Sequence, residues 1–221
     1  MTGAKMPKKV SRDLIDIMGY VGPNGSGKTW LALKHPNKLP AQLRIRVNWA
    51  DPTLAEGARV ISDGKALHKA LKDWAAAGRP KGLNICWDGA KKYGPELGFK
   101  IAAMLCLQYG FIEIIADEAH KYCDRNIAAQ PWLDDILSRG FHYRVSFKWT
   151  STRPKQMHPE FRAQSRVTHV FYAPDTTFKS YASELGAGQL WDKLRAQPQY
   201  SHIAFYRRDD PKIMPPYKPK G

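Results

Sequence analysis

Eight residues near the start of the chain have the types and spacing that hold the phosphates of a nucleotide. Residues 22–29, GPNGSGKT, match G-x-x-x-x-G-K-[ST] at every fixed position. The glycines let successive backbone N–H groups face the phosphates, Lys28 can reach the β- and γ-phosphates, and the Thr29 hydroxyl can ligate Mg²⁺. The predicted nucleotide-binding residues of this segment are Gly22, Pro23, Asn24, Gly25, Ser26, Gly27, Lys28, Thr29 and Trp30.

Two adjacent carboxylates follow a hydrophobic run about 90 residues further on. Residues 111–120, FIEIIADEAH, resemble a Walker B strand with the extra glutamate of the hydrolytic P-loop ATPases. Asp117 at the strand tip can hold Mg²⁺ through water, and Glu118 can polarise the attacking water. DEAH also spells a helicase box, but those helicases need a second nucleotide-binding domain and only about 100 residues remain. Asp88, in LNICWDG, is a weaker candidate for the Walker B aspartate, because the glycine after it favours a plain turn.

A third polar element follows in residues 139–154, RGFHYRVSFKWTSTRP. Its strand ends in Thr150, Ser151 and Thr152, which can orient the lytic water or sense the γ-phosphate if they lie beside the phosphate loop. That contact requires the strand at Arg144–Thr150 to lie between the strand that precedes the phosphate loop (the Walker A strand, Leu14–Val21) and the Walker B strand (Phe111–Ala116). Direct pairing of the Walker A and Walker B strands would instead favour the kinase and GTPase branch.

Apolar runs alternate with helical patterns, which predicts an α/β fold: a single RecA-like P-loop NTPase domain, mostly parallel, with helices on both faces. The predicted strands are Leu14–Val21, Leu43–Trp49, Leu83–Trp87, Phe111–Ala116, Arg144–Thr150, Thr168–Tyr172 and His202–Tyr206. The predicted helices are Lys28–Lys34, Lys65–Ala77, Glu96–Gln108, Trp132–Ser138 and Gln189–Ala196. Loops are expected at Asp51–Asp63 and Gly78–Gly82. The domain is expected over residues 13–206, between a basic N-terminal arm (1–12) and a loosely held, basic, proline-rich tail (207–221).

The charge of the chain indicates a polyanionic partner. Its 35 Lys and Arg against 20 Asp and Glu residues give a net charge of +15, an excess typical of proteins that bind nucleic acid. Cys86, Cys106 and Cys123 are widely spaced and odd in number, which predicts reduced thiols. No apolar stretch is long enough to span a membrane, so we expect a soluble protein. Basic residues at the two ends suit contacts with DNA phosphates: Lys5, Lys8, Lys9, Lys212, Lys218 and Lys220.

Taken together, GPNGSGKT, IIADEAH and SRGFHYRVSFKWTSTRP leading into PEFRAQSRVTHVFYAPD resemble the FtsK/HerA superfamily of DNA-pumping ATPases. Within it, the chain looks most like the genome-packaging ATPases of tailless, double-jelly-roll viruses that contain an internal membrane. The resemblance covers roughly Leu14 to Asp175. Thr152 stands where the family usually has glutamine, which leaves Thr150 and Ser151 as substitutes in the sensor role.

The resemblance implies an ATP- and Mg²⁺-dependent translocase that packages double-stranded viral DNA into a preformed capsid. The implied catalytic residues are Glu118, Lys28 and Arg139, and the implied metal ligands are Thr29 and Asp117. The family works as a ring, usually a hexamer, in which a neighbour's arginine completes each site. Arg139 matches the family's position best; Arg144, Arg162 and Arg166 are alternatives. The implied partners are duplex DNA of any sequence and capsid or portal-vertex proteins, in the infected cell's cytoplasm or at a packaging vertex of the virion.

Three other functions are weighed against this one from the sequence. A small P-loop nucleotide kinase is disfavoured by Glu118 and by the net charge, since a kinase needs no polyanion track. A GTPase is disfavoured because no N-K-x-D motif follows the sensor region. A non-motor assembly ATPase encoded by a phage or plasmid would share the site and bind protein partners. No base-reading motif is visible, so the sequence does not distinguish adenine from guanine.

Overall fold

Nine strands form one sheet in the computed structural model, which describes residues 16–35, 43–47, 57–123, 130–207 and 209–216. The sheet order is β3-β4-β2-β5-β6-β1-β7-β8-β9. The strands are β1 (Ile17–Val21), β2 (Leu43–Val47), β3 (Arg59–Ile61), β4 (Leu83–Trp87), β5 (Ile112–Ala116), β6 (Ser146–Ser151), β7 (Val167–Phe171), β8 (His202–Tyr206) and β9 (Lys212–Met214).

The sheet is parallel except at one edge, where β8 pairs antiparallel with both β7 and β9. Strand β6 lies between β1 and β5 and is parallel to both. The predicted order around the phosphate loop is therefore confirmed. Because the carboxyl ends of parallel strands meet at one edge, the tips of β1, β5 and β6 come together there.

Helices cover both faces of this sheet, as predicted for a mostly parallel arrangement buried on both sides. They are α1 (Lys28–Lys34), α2 (Gly64–Ala76), α3 (Ala90–Tyr93), α4 (Pro95–Tyr109), α5 (Pro131–Asp134, continued by a π-helical turn at Asp135–Arg139), α6 (Pro159–Gln164), α7 (Thr176–Glu184) and α8 (Gly188–Arg195). The larger core holds the buried side chains of α2, α4, α5 and α6–α8. Helix α1 packs on the opposite face, where Leu31 and Ala32 meet Met18 and Tyr20 of β1.

Two short strands lie where the sequence predicted loop or tail, so both predictions are wrong there. Strand β3 falls within the predicted loop Asp51–Asp63 and pairs with β4. Strand β9 falls within the predicted tail 207–221 and pairs with β8. Each has only three residues, too few for alternation to be read, and each gains its hydrogen bonds from a neighbouring strand. The arm at 1–12 and the tail beyond residue 216 lie outside the described residues.

Helices α3, α6 and α7 were not predicted. The α7 start carries a local signal, because the Asp175 side chain accepts a hydrogen bond from the Thr177 N–H at 2.6 Å, the usual arrangement of an N-cap. Helix α6 begins at Pro159, directly after His158, whose ring accepts from the Glu160 N–H. Helices α6 and α7 are both short, so their N-caps are the strongest signals for them in the sequence.

A buried ion pair between β5 and β6 holds the C-terminal end of α1 against the sheet. The Lys148 ammonium lies 2.6 Å from Glu113 Oε1, and the two side chains are 0% and 1% exposed. The same ammonium donates a hydrogen bond to the His35 carbonyl, at 2.6 Å. His35 is the C-cap of α1, so the pair links β5 and β6 to the C-terminal end of α1. Lys28 and Thr29 lie at the other end of this helix. A cation at a helix C-terminus also interacts favourably with the helix dipole.

Three histidines are packed together on the same face of the sheet. The ring centroid of His169 lies 4.8 Å from those of His35 and His202, and the His169 ring stacks on Tyr20 at 5.0 Å. Burial lowers the pKa of His35 and of His202 to about 4, and it lowers the pKa of His169 well below the usual range. All three are therefore neutral in the folded protein near pH 7.

We expect this cluster to make the protein unstable in mild acid. Each histidine regains a pKa near 6.5 on unfolding, so the unfolded state binds more protons as the pH falls below 6.5, and stability is lost until the pH reaches the folded pKa of about 4. For His202 alone the loss is roughly 3 kcal/mol at pH 4. Urea unfolding at pH 8, 7, 6 and 5 measures it. A free energy of unfolding that is unchanged from pH 7 to pH 5 would contradict the prediction.

Candidate nucleotide-binding site

The phosphate loop connects β1 to α1 with two residues in the left-handed region. Gly25 has φ 75° and Gly27 has φ 84°, conformations that other residues rarely adopt. The Gly22 N–H donates to the Ser151 carbonyl at 3.1 Å, which ties the start of the loop to the tip of β6. The loop is therefore held against the strand whose polar tip was expected to face it.

The predicted metal ligands lie together, with Thr29 in the first turn of α1 and Asp117 directly after β5, beside the tip of β6. The Thr29 hydroxyl donates to Asp117 Oδ1 at 3.1 Å, and the Thr150 hydroxyl donates to the same oxygen at 2.7 Å. Thr150 Oγ1 also accepts from the Glu118 N–H at 2.9 Å. Mg²⁺ bound with a nucleotide uses one or two protein oxygens together with phosphates and waters. The hard oxygens of Thr29 and Asp117 fit that requirement. No group of three or more His, Cys, Asp or Glu side chains in the described part of the chain could hold a metal by itself.

Glu118 lies between the phosphate-loop lysine and the sensor strand. Its Oε1 is 3.1 Å from the Lys28 ammonium, and its Oε2 accepts from the Thr152 hydroxyl at 2.7 Å. Burial raises the pKa of Glu118, but the Thr152 hydrogen bond and the Lys28 charge outweigh it and hold the pKa below its usual range. The carboxylate is thus ionised, as a group that polarises water must be. Its left-handed backbone, φ 50° and ψ 49°, is a strain of the kind that clusters at functional sites.

His120 and Ser151 form a second layer behind Glu118. The His120 Nδ1 atom lies 3.1 Å from Ser151 Oγ and 3.5 Å from Glu118 Oε2. Burial lowers the pKa of His120, although the Glu118 charge opposes the shift. From the sequence, His120 is an ordinary residue after the strand with at most a nucleotide-sensing role. The structure places it in contact with the predicted catalytic carboxylate.

A cavity of about 580 Å³ extends from the phosphate loop along α1. Its walls include Trp30, which the sequence identified, together with Phe171, Tyr200, His202 and Pro216, which it did not. The Tyr200 ring lies so close to the loop that a Cβ added at Gly27 would be 3.1 Å from it. No motif marks these residues, since they reach the loop only through the pairing of β7 and β8.

The four candidate arginines all lie away from the nucleotide site of their own chain. Arg139 pairs with Asp135 at 3.3 Å, Arg162 with Glu184 at 3.4 Å, and Arg166 with Asp16 at 3.0 Å. Arg144 lies over the Phe111 ring, 5.0 Å from its centroid. Because Arg139 and Arg144 precede β6, they lie at the opposite sheet edge, about 20 Å from the strand tip by strand length.

No protein-family model matches the chain, and no curated protein matches it. Solved structures do. The genome-packaging NTPase B204 of Sulfolobus turreted icosahedral virus 2, in complex with sulfate, is 16% identical with a TM-score of 0.68, and the match covers 94% of this chain and 99% of that chain. Its complex with ATP-γS is 17% identical with a TM-score of 0.66, covering 91% and 98%. B204 from Sulfolobus turreted icosahedral virus, described as a DNA-packaging ATPase, is 18% identical with a TM-score of 0.65, covering 92% and 98%.

These similarities define the class of protein by its fold, which is that of a RecA-like P-loop ATPase. The chain has the fold of the viral genome-packaging NTPase B204 over nearly the full length of both chains. The predicted α/β fold, a mostly parallel sheet with helices on both faces, is therefore confirmed. The roles of the individual site residues remain predictions.

Proposed function

We propose that this protein is an ATPase that moves double-stranded DNA, and that it packages a viral genome into a preformed capsid. The observation that carries the proposal is the polar tip of β6 between the phosphate loop and the Walker B carboxylates. Thr150 contacts Asp117, and Thr152 contacts Glu118. A γ-phosphate held by Lys28 would therefore lie beside both a water-polarising carboxylate and the sensor strand.

The chemistry of this arrangement is phosphoryl transfer to water. Lys28 and the loop N–H groups would hold the phosphates, and Thr29 and Asp117 would hold Mg²⁺, which neutralises charge on the β- and γ-phosphate oxygens. The Lys28 ammonium would then exchange its contact with Glu118 for the γ-phosphate, which frees the carboxylate to polarise a water. A nucleotide kinase transfers the phosphoryl group to a substrate hydroxyl, and the position of β6 between β1 and β5 disfavours that alternative.

Coupling to DNA would require a ring. Since Arg139 and Arg144 lie at the sheet edge opposite the nucleotide, either could complete the site of a neighbouring subunit but not its own. We keep Arg139 as the first candidate for this trans-acting arginine, with Arg144, Arg162 and Arg166 as alternatives. A homo-oligomeric ring, a hexamer by analogy with the family, would present the excess positive charge of several chains to one duplex.

The similarity to B204 supports the packaging role, since the solved proteins are described as a genome-packaging NTPase and a DNA-packaging ATPase. Capsid or portal-vertex proteins are then the expected protein partners, in the cytoplasm of the infected cell or at a vertex of the virion. None of the described helices is long and apolar enough to cross a membrane. The boundary at residue 12 is kept as part of the proposal, whereas strand β9 extends the domain beyond residue 206.

Phosphate release measured with and without duplex DNA, over a salt series, tests this function. We expect DNA to stimulate release, and we expect the logarithm of DNA affinity to fall linearly with the logarithm of salt concentration, because the contacts are to phosphates. Duplexes of unrelated sequence should compete equally, since base contacts would stall a motor that must move along any genome. Hydrolysis that ignores DNA, or a strong preference for one sequence, would favour the non-motor assembly ATPase.

A further inference from the structure

A second cavity adjoins the cavity beside the phosphate loop, and the proposed phosphate chemistry does not use it. The second cavity, about 680 Å³, is lined by His35, His169 and His202 together with apolar side chains. His202, Leu31 and Pro216 line both cavities. They therefore mark the end of the nucleotide cavity that leads away from the phosphate loop.

The walls of the nucleotide cavity suit a flat aromatic group. Trp30 and Leu33 come from α1, and Phe171 and Tyr200 lie on the side of β7 and β8. Tyr200 is 48% exposed and has φ 69°, so its ring is held over the loop by a backbone conformation that costs energy in a tyrosine. Aromatic side chains of this kind stack on nucleobases. With its phosphates at Lys28 and Thr29, a nucleotide would place its base in this part of the cavity.

One hydrogen bond sets the tautomer of His202. Its Nδ1 atom lies 3.3 Å from the Tyr200 carbonyl oxygen. A carbonyl oxygen can only accept, so Nδ1 carries the proton. Burial keeps the ring neutral by lowering its pKa to about 4, and a neutral imidazole protonated at Nδ1 has an acceptor at Nε2. Within the described residues, Nε2 has no hydrogen-bond partner. Unlike the two ring nitrogens of His169, which are fully buried without a partner, Nε2 of His202 is not completely enclosed by protein atoms.

We propose that His202 selects adenine over guanine, with Nε2 accepting a hydrogen bond from the exocyclic amino group of the base. The inference rests on the proposed function and names the base that the same site takes. A purine is joined to its ribose at N9, so its position-6 edge points away from the phosphates, toward the end of the cavity where His202 lies. Adenine presents an amino donor at position 6, and guanine presents a carbonyl oxygen, which would face a second acceptor.

Competition with a fluorescent ADP analogue tests the proposal on the unmodified protein. The competitors are ATP, GTP and inosine triphosphate, which carries an oxygen where adenine has the amino group. We expect ATP to displace the probe at a concentration about 10-fold lower than inosine triphosphate or GTP. Those two nucleotides lose the hydrogen bond to His202 and leave its Nε2 without a partner. Equal displacement by ATP and inosine triphosphate would overturn the inference and leave the proposed ATPase intact. Failure of every competitor would overturn both.

Three variants separate base selection from general binding. His202→Gln should reduce the ratio between ATP and inosine triphosphate to near one, because an amide can rotate to offer either a donor or an acceptor. Tyr200→Ala should weaken both nucleotides by the same factor, since stacking does not read position 6. His142→Gln is the matched control: it replaces an exposed histidine at the opposite sheet edge, and it should leave the ratio at its wild-type value. A ratio that is unchanged in His202→Gln would also overturn the inference.

Discussion

Replacing Glu118 by glutamine should stop ATP turnover while leaving nucleotide binding intact. The amide cannot polarise the attacking water, and loss of a general base typically lowers the rate by about 10²–10⁴-fold. Lys28, Thr29 and the loop N–H groups would still hold the phosphates. Glutamine also retains an oxygen that can accept from the Thr152 hydroxyl, which now donates to Glu118. Steady-state phosphate release and probe displacement by ATP measure the two effects separately.

Two variants control this experiment. Glu160→Gln makes the same chemical change on α6, where the side chain contacts Gln164, and it should hydrolyse ATP at the wild-type rate. Lys28→Ala should lose tight nucleotide binding instead, because the contact with the β- and γ-phosphates is removed. Wild-type turnover in Glu118→Gln would eliminate Glu118 as the base and would direct attention to His120, the next group behind it.

Breaking the Lys148–Glu113 pair should destabilise the protein more than any surface substitution. Lys148→Met leaves the Glu113 carboxylate buried without its counter-charge, and removing one partner of a buried pair typically costs about 3–5 kcal/mol. For a chain of this size the melting temperature should fall by roughly 6–20 °C. Thermal unfolding followed by circular dichroism measures it. The His35 carbonyl also loses its donor, so nucleotide affinity should fall with the loosened end of α1.

The double variant Glu113→Gln with Lys148→Met isolates the electrostatic part of this effect. It removes both charges of this pair, so most of the lost stability should return. Lys179→Met breaks the exposed pair with Asp192 and should change stability by less than about 1 kcal/mol. A single variant Lys148→Met as stable as the wild type would show that Glu113 takes up a proton or finds another partner at little cost.

The phosphate site could be predicted because its information is local. Gly25 and Gly27 are required by the backbone of the loop, Lys28 and Thr29 follow at fixed spacing, and Asp117 ends a hydrophobic strand. The order of β1, β6 and β5 could be predicted as well, because a polar strand tip can reach the γ-phosphate from only one position in the sheet. The net charge of +15 depends on no structure at all. From these features alone came the class of fold and the prediction of a polyanionic partner.

Other features depended on residues distant in sequence. Strands β3 and β9 exist because neighbouring strands supply hydrogen-bond partners, which three residues cannot signal by themselves. Tyr200 reaches the phosphate loop, and His202 lines the cavity beside it, because β8 turns back antiparallel beside β7, more than 170 residues after the loop. The sequence therefore determined the predicted phosphate site, since that site is made by consecutive residues. Only the tertiary structure decided what surrounds the proposed base site and what anchors α1, because those contacts join side chains that no spacing rule relates.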